Sequence, residues 1–356
     1  MTTTLYVAST EAFSGKSALC VGLLHRFQQD GFRIGYMKPV STTARFVRGR
    51  IIDEDAHFLK YTLGLSDNLG QMAPILLNDQ QVSSILTENG EDPAAELQAA
   101  YNTIASDKDM VVLEGGSNLR EGWIINLTPA QVADLLNAFK LIVVPYNNDL
   151  QVVDDLLTAQ QRLGQSFLGG VINQVPPDRL DFVRDKIKPW VESQGVPILA
   201  CLPQERALLS ASIAELSDQL GGEVLCSHHM VDKLVEHLLV GAMDTSLALT
   251  YFFQTPNKAV ITSGDRVDLQ MSALETSTHC LILTENLHPQ PLIVQRAQEM
   301  EVPIILTSHD TLTAIEIVEN LFDKSRFHRT EKVQCFEALL AEHFNFDALY
   351  RALGKR

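Results

Sequence analysis

Gly15, Lys16 and Ser17 are three residue types that together can hold a phosphate: a glycine that lets the backbone turn, a cation and a hydroxyl. They close the segment LYVASTEAFSGKS, residues 5 to 17, in which a short β-branched and aromatic run leads through a loop into an apolar-periodic helix pattern. A strand that delivers the chain to a sheet edge, followed by backbone N–H groups at a helix start, makes an anion cradle. Lys16 adds a point charge for the β- and γ-phosphates, and Ser17 a hydroxyl for Mg²⁺. The usual pattern has a glycine five residues before Gly15, where Thr10 stands. The competing reading is an ordinary strand-to-helix turn with Ser17 near the N-cap.

A magnesium nucleotide needs further hard oxygen ligands. Glu114 closes the run MVVLEGG at the carboxyl end of an expected strand, where Gly115 and Gly116 allow close backbone approach. Asp55 opens an expected helix in an acidic trio with Asp53 and Glu54, a pattern that also suits a solvated helix N-terminus. Lys38, followed by Pro39, ends another strand; it is either a surface lysine or a cation aimed at a transferred phosphoryl group.

These residues require a scaffold. The runs LYVA, RIGYM, MVVLE, LIVVP, LGGVIN and VPILA recur between helix-type stretches, as in a parallel sheet buried on both faces. Helices are expected from Ser17 to Phe27 and from Pro129 to Phe139, the latter with Thr128 as N-cap and proline at N1. Residues 205 to 245 read as helical and mixed, broken at Gly221-Gly222; AVITSG, CLILTE and PIILTS then form three strands of a small open sheet. From Glu331 two amphipathic segments carry Phe336, Leu339, Leu340 and Phe344, then Leu349 and Leu353, for packing on the body or for a partner. The division expected is 1–210, 211–330 and a helical tail 331–356.

Composition narrows the function. The 356 residues are 46% hydrophobic and carry a formal charge of −16, which argues against a nucleic-acid or anionic-membrane surface. No apolar stretch approaches the roughly 20 residues a bilayer needs, and the amino terminus lacks a basic signal region, so a cytoplasmic protein is expected. Cys20, Cys201, Cys226, Cys280 and Cys335 form no CxxC pair and read as packing residues. His228 and His229 are adjacent, a spacing at which helical side chains diverge by about 100° and do not chelate zinc together.

Taken together, residues 3 to 210 resemble the dethiobiotin synthetase branch of P-loop proteins. The loop STEAFSGKS, KPV after the second strand, Asp55-Ala56, Glu114-Gly115, GVIN ending in Asn173, and Cys201-Leu202-Pro203 fall in that family's order, although Ser9 stands where the family loop begins with glycine. The resemblance implies ATP and Mg²⁺ as cofactors. Lys16 and Lys38 would be the catalytic, phosphate-contacting cations. Thr10, Ser14, Gly15, Lys16, Ser17 and Ala18 would bind nucleotide, with Asn173 at the adenine edge and Pro203 beside the base. Ser17, Asp55 and Glu114 would hold the metal. The ligand commonly lies near a dimer contact in that family, so self-association is implied.

Most of the chain is similar to the amino-terminal half of long bacterial phosphotransacetylases, whose second block is the DRTGG domain. Gly264-Asp265-Arg266, Asp268 and the upstream VGAMDTSLALTYF are present, but the TGG element reads Thr284-Glu285-Asn286. Gly264 would permit a tight turn, Asp265 would cap the next helix and Arg266 would grip an anion; capping plus a salt bridge is the alternative. The resemblance implies a doubly wound parallel-sheet P-loop NTPase domain followed by a smaller α/β DRTGG-like domain. Phosphotransacetylase activity is expected to be missing, because the chain stops at Arg356 before the acetyl-transferring domain.

Three functions fit. One is an Mg·ATP-binding regulator whose second block binds a partner or small effector. Another is an ATP-dependent ligase acting on a carboxylate or amine, with Thr42, Thr43, Arg45 and Arg48 lining the acceptor pocket. The third is a scaffold that has lost its nucleotide.

Overall fold

The computed structural model describes residues 2–47, 50–87, 93–241, 245–323 and 327–355. The chain forms two compact units, Met1–Gln204 with Phe327–Arg356, and Glu205–Arg326.

In the first unit the six apolar runs form β1 (Thr3–Ser9), β2 (Ile34–Met37), β3 (Met110–Glu114), β4 (Phe139–Pro145), β5 (Phe167–Val175) and β6 (Ile198–Pro203). They make one sheet in the order β6-β5-β4-β1-β3-β2, and every pairing is parallel. Successive residues such as Val111, Val112 and Leu113 are all fully buried, so both sheet faces are covered. The winding direction reverses around β1, the place where open α/β sheets form a crevice at their carboxyl edge. Val7 of β1 pairs with Glu114 of β3. The loop after β1 therefore emerges beside the carboxylate that ends β3.

α1 (Lys16–Gln29) follows that loop, and α2 (Glu54–Thr62) follows β2 after the short strand Val40–Ser41 and the antiparallel pair of Arg45–Val47 with Arg50–Ile52. The helix at Pro129 has the expected Thr128 cap, completed by Gln131, but ends at Leu135 rather than Phe139. Asn137 turns left-handed at φ 50 and Ala138 N–H bonds back to the Ala133 carbonyl, which stops the helix and frees Phe139 to begin β4.

The second unit holds β7 (Glu223–Val224), β8 (His237–Val240), β9 (Lys258–Ser263), β10 (Thr278–Thr284) and β11 (Ile304–Leu306), ordered β7-β11-β10-β9-β8. β8 to β11 run parallel and β7 is antiparallel to β11. Sequence pattern marks only β9, β10 and β11. β7 and β8 span two and four residues, none of them fully buried, so they show neither alternation nor a buried run. The stretch read as helical holds the short helices Arg206–Leu209 and Ile213–Gln219, a 3-10 turn at His228–Met230, and a two-strand pair of Ala211–Ser212 with Leu234–Val235. Val260, Leu281, Leu283 and Ile304 enter one apolar cluster while Ala259, Ile261, Ile282 and Ile305 enter another, the period-two signature of a sheet covered on both faces. α3 (Val267–Leu274) follows β9.

The chain then returns to the first unit as α4 (Thr330–His343) and α5 (Phe346–Ala352). α4 lies so close on α1 that a Cβ on Gly22 would stand 2.3 Å from Leu340 Cδ1. His25 pairs with Glu337, and the Asn345 N–H bonds the Leu199 carbonyl of β6 at 2.9 Å. Phe336, Leu340, Phe344 and Leu349 of the amphipathic tail are thereby buried. Among the described residues, no helix is long and apolar enough to cross a membrane.

Candidate functional site

The loop from Thr10 to Gly15 connects β1 to α1 at the carboxyl edge of the sheet. Gly15 holds φ 90, a left-handed conformation that glycine adopts without steric cost, and Lys16 and Ser17 begin the helix with Ala18 buried behind them. The loop is tied down from β5. Asn173 Nδ2 donates to the Ser14 carbonyl at 2.9 Å, and Gln174 Nε2 to the Phe13 carbonyl at 3.2 Å. The expected adenine reader thus uses its amide nitrogen on the loop itself. Pro203 stands at the end of β6, paired in register with Val175.

Lys16 is buried, and Nζ donates to Ser9 Oγ at 2.8 Å. Burial lowers its pKa, opposed by the charge of Glu114. Ser14 is fully buried and its Oγ has no hydrogen-bond partner among the described residues. Next to this cradle, Ser17 Oγ donates to Glu114 Oε1 at 2.6 Å and the Tyr36 hydroxyl donates to Oε2 at 2.8 Å. Burial, reinforced by the charge of Asp55, pushes the Glu114 carboxyl up to about 7. A Cβ on Gly115 would come within 2.9 Å of the Tyr6 ring, so the chain beyond Glu114 has room only for glycine.

Lys38 is also buried. Its Nζ lies 2.5 Å from Asp55 Oδ2, 3.0 Å from Asp53 Oδ2 and 3.0 Å from Thr43 Oγ1. Burial disfavours its charge, but Asp55 and Asp53 outweigh that and raise its pKa. Burial likewise opposes ionisation of Asp55, yet hydrogen bonds from His328 and Lys38 hold it below the usual carboxylate range. Asp53 is no solvated helix end: it is 2% exposed, caps α2 through the Ala56 N–H at 2.8 Å and accepts from Ser41 Oγ at 2.5 Å.

Lys16, Ser17 and Glu114 thus form one cluster, Lys38 and Asp55 another, and each lies within the other's electrostatic reach. Of the acceptor-pocket candidates, Thr43 bonds Lys38 and Thr42 donates to Glu121 Oε1 at 2.9 Å. The side chain of Arg45 and all of Arg48 lie outside the described residues, as do 242–244 of the VGAMDTSLALTYF segment. Gly264, Asp265 and Arg266 lie in the second unit. Arg266 Nε and Nη2 bond Asp268 at 3.0 and 2.9 Å. Asp265 does not cap α3. Arg266 occupies the N-cap position without a side-chain cap bond, because the helix begins one residue later than such a cap requires.

Sequence reasoning did not single out Ser9, Tyr36, Asp53 or His328 for roles at the site. Tyr36 was legible in part, since it lies on β2 two residues before Lys38, which directly follows that strand. Nothing in linear order points to His328, which is 273 residues from the Asp55 carboxylate it touches.

A parallel sheet with reversed winding, a lysine-serine helix start at the switch point and a strand-terminal glutamate define a P-loop NTPase fold. The chain belongs to the AAA domain family, which residues 3–212 match, and residues 215–321 match the DRTGG domain. It is similar to phosphate acetyltransferase of Synechocystis sp., 26% identical over 343 residues, covering 89% of this chain and 47% of that protein. It is also similar to ATP-dependent dethiobiotin synthetase BioD of Aromatoleum aromaticum, 24% identical over 220 residues, covering 59% of this chain and 94% of that one. The chain spans about half the length of the phosphate acetyltransferases it matches. Among solved structures, cobyrinic acid a,c-diamide synthase from Mycobacterium smegmatis with a bound ATP analog and magnesium aligns at 16% identity, over 58% of this chain and 88% of that one, with TM-score 0.36.

Proposed function

We propose that the first unit binds Mg·ATP in the loop between β1 and α1 and acts as a nucleotide-dependent regulatory module, with the second unit receiving a partner or small effector. One observation carries this reading: a buried lysine at a helix start donates to Ser9, while the adjacent Ser17 hydroxyl is held by a buried glutamate. Lysine has three donors, so Nζ retains capacity for phosphate oxygens. The partnerless Ser14 hydroxyl supplies another polar contact of the kind a phosphate satisfies. Ser17, Asp55 and Glu114 are the hard oxygen donors that Mg²⁺ selects, so the residues present fit the ion. When bound, Mg²⁺ would neutralise charge on the β- and γ-phosphates. Asn173 and Pro203 would lie beside the base.

The state of Lys38 favours regulation over a ligase. Two carboxylates and Thr43 hold its ammonium, and a lysine committed in this way is not presented to a phosphoryl group in transfer. An acidic chain whose cysteines form no disulfide among the described residues also suits the cytoplasm. Calorimetric titration with ATP and Mg²⁺ tests the proposal. Saturable binding that disappears in Lys16→Ala, with slow ADP release, is the expected result. Absence of binding by the wild-type protein overturns it, and rapid ADP formation with an added carboxylate or amine shifts the assignment to a ligase.

A further inference from the structure

Asp55 has a neighbour from far along the chain, His328. We infer that His328 is a positioning residue that orients the Asp55 carboxylate for a divalent cation, an inference that rests on the proposed metal role of Ser17, Asp55 and Glu114. His328 Nε2 stands 2.9 Å from Asp55 Oδ1 while Lys38 Nζ takes Oδ2 at 2.5 Å. A carboxylate only accepts, so Nε2 carries the proton in this pair. With one donor on each oxygen the carboxyl group is fixed about its Cβ–Cγ bond. Each oxygen still keeps a lone pair for an ion.

The imidazole is itself well held. Its ring rests on Phe58, with centroids 4.9 Å apart at 34°. Phe58 follows Asp55 by three residues on α2, the spacing that puts two side chains on one helix face. His328 therefore docks on α2 at one polar and one apolar point. Its neighbour Phe327 packs edge-on against Phe336 of α4 at 5.8 Å and 79°. α4 is seated on α1, whose first residues are Lys16 and Ser17. The segment thus joins the two helices whose starts carry the site. His328 is also the second residue after Arg326, where the second unit ends.

Removing a hydrogen-bond partner that orients a metal-ligating side chain typically weakens metal binding about 10- to 100-fold. The test titrates Mg²⁺ by calorimetry into wild-type protein, His328→Ala and His328→Gln, each saturated with a non-hydrolysable ATP analogue. The analogue alone is titrated in EDTA, and thermal unfolding checks the fold of each variant. His328→Ala is expected to raise the half-saturating Mg²⁺ concentration about tenfold with metal-free analogue affinity unchanged. His328→Gln, whose amide N–H replaces Nε2–H, is expected to restore most of it. Should His328→Ala fail to fold, His328→Asn, with an amide too short to reach Asp55, provides the same comparison. Equal or tighter Mg²⁺ binding in His328→Ala overturns the positioning role and leaves the nucleotide site standing. Loss of metal-free affinity without rescue by glutamine shows a merely structural part and overturns it as well. A wild-type protein that binds no analogue overturns the nucleotide reading and this inference with it.

Discussion

The Asn173 side-chain amide lies against Gly15 so closely that a Cβ on that glycine would stand 2.3 Å from Nδ2. The same nitrogen donates to the Ser14 carbonyl, so the end of β5 sets the shape of the phosphate loop. Gly15→Ala meets a side chain at sub-contact distance and a φ of 90, and is expected to cost about 2 kcal/mol. Asn173→Ala, which strands the Ser14 carbonyl, is expected to cost about 1 kcal/mol. Because the alanine at 173 also makes room for a methyl at 15, the double variant should lose less than the sum. Urea denaturation of the four proteins measures this, and strict additivity would refute the coupling.

Glu114 sets a pH dependence whose sign follows from burial. Its carboxyl, ordinarily near 4.5, is pushed up to about 7 in the fold. Below about 4.5 both folded and unfolded chains hold the proton and nothing changes. Between there and 7 the unfolded chain gives up its proton first, so stability falls with rising pH by up to about 1.4 kcal/mol per unit. Glu114→Gln should flatten that segment of the profile in metal-free buffer. With Mg²⁺ and nucleotide present the wild-type slope should turn shallower, since a bound cation favours the ionised carboxylate. Chemical denaturation from pH 4.5 to 8 reads both effects.

Lys258 in the second unit is buried at the start of β9, where Nζ donates to Thr276 Oγ1 at 2.9 Å and stands 5.7 Å over the Phe252 ring. Burial lowers its pKa from 10.5 to about 8. The unfolded chain therefore binds more protons between those values, and stability should rise with pH across that window. Lys258→Met should remove the rise and stabilise the unit at pH 7 by about 1 kcal/mol, because an apolar chain of similar length needs no desolvation of charge. A drop in melting temperature at pH 7 would contradict it.

Glu285 and Asn286 follow β10 with φ 63 and 55, two consecutive left-handed residues where the DRTGG pattern carries glycines. Glu285→Gly should stabilise by up to about 1 kcal/mol by releasing steric strain, whereas Asn286→Gly should be nearly neutral, because asparagine tolerates this conformation. Gly264 behaves in the opposite sense: a Cβ there would lie 1.7 Å from the Leu287 carbonyl oxygen, so Gly264→Ala should cost about 3 kcal/mol. Melting temperatures of the three variants in one buffer give the comparison.

How far the sequence reached can be seen residue by residue. Six apolar runs, the lysine-serine helix start and the glutamate ending MVVLE are local signals, and each sits on the kind of element its pattern specifies. Side-chain period and loop chemistry are properties of neighbouring residues, which is why they are legible in linear order. The short strands β7 and β8 carry no such period and exist because a sheet edge was available to pair with. Tertiary structure alone decided that Asp53 is buried, that Lys38 is neutralised by two carboxylates, that Asn173 turns to the phosphate loop and that His328 reaches Asp55. Those contacts join residues up to 273 positions apart. Which distant donor meets a given acceptor depends on how helices pack over the sheet, a collective property of the core that no local pattern encodes.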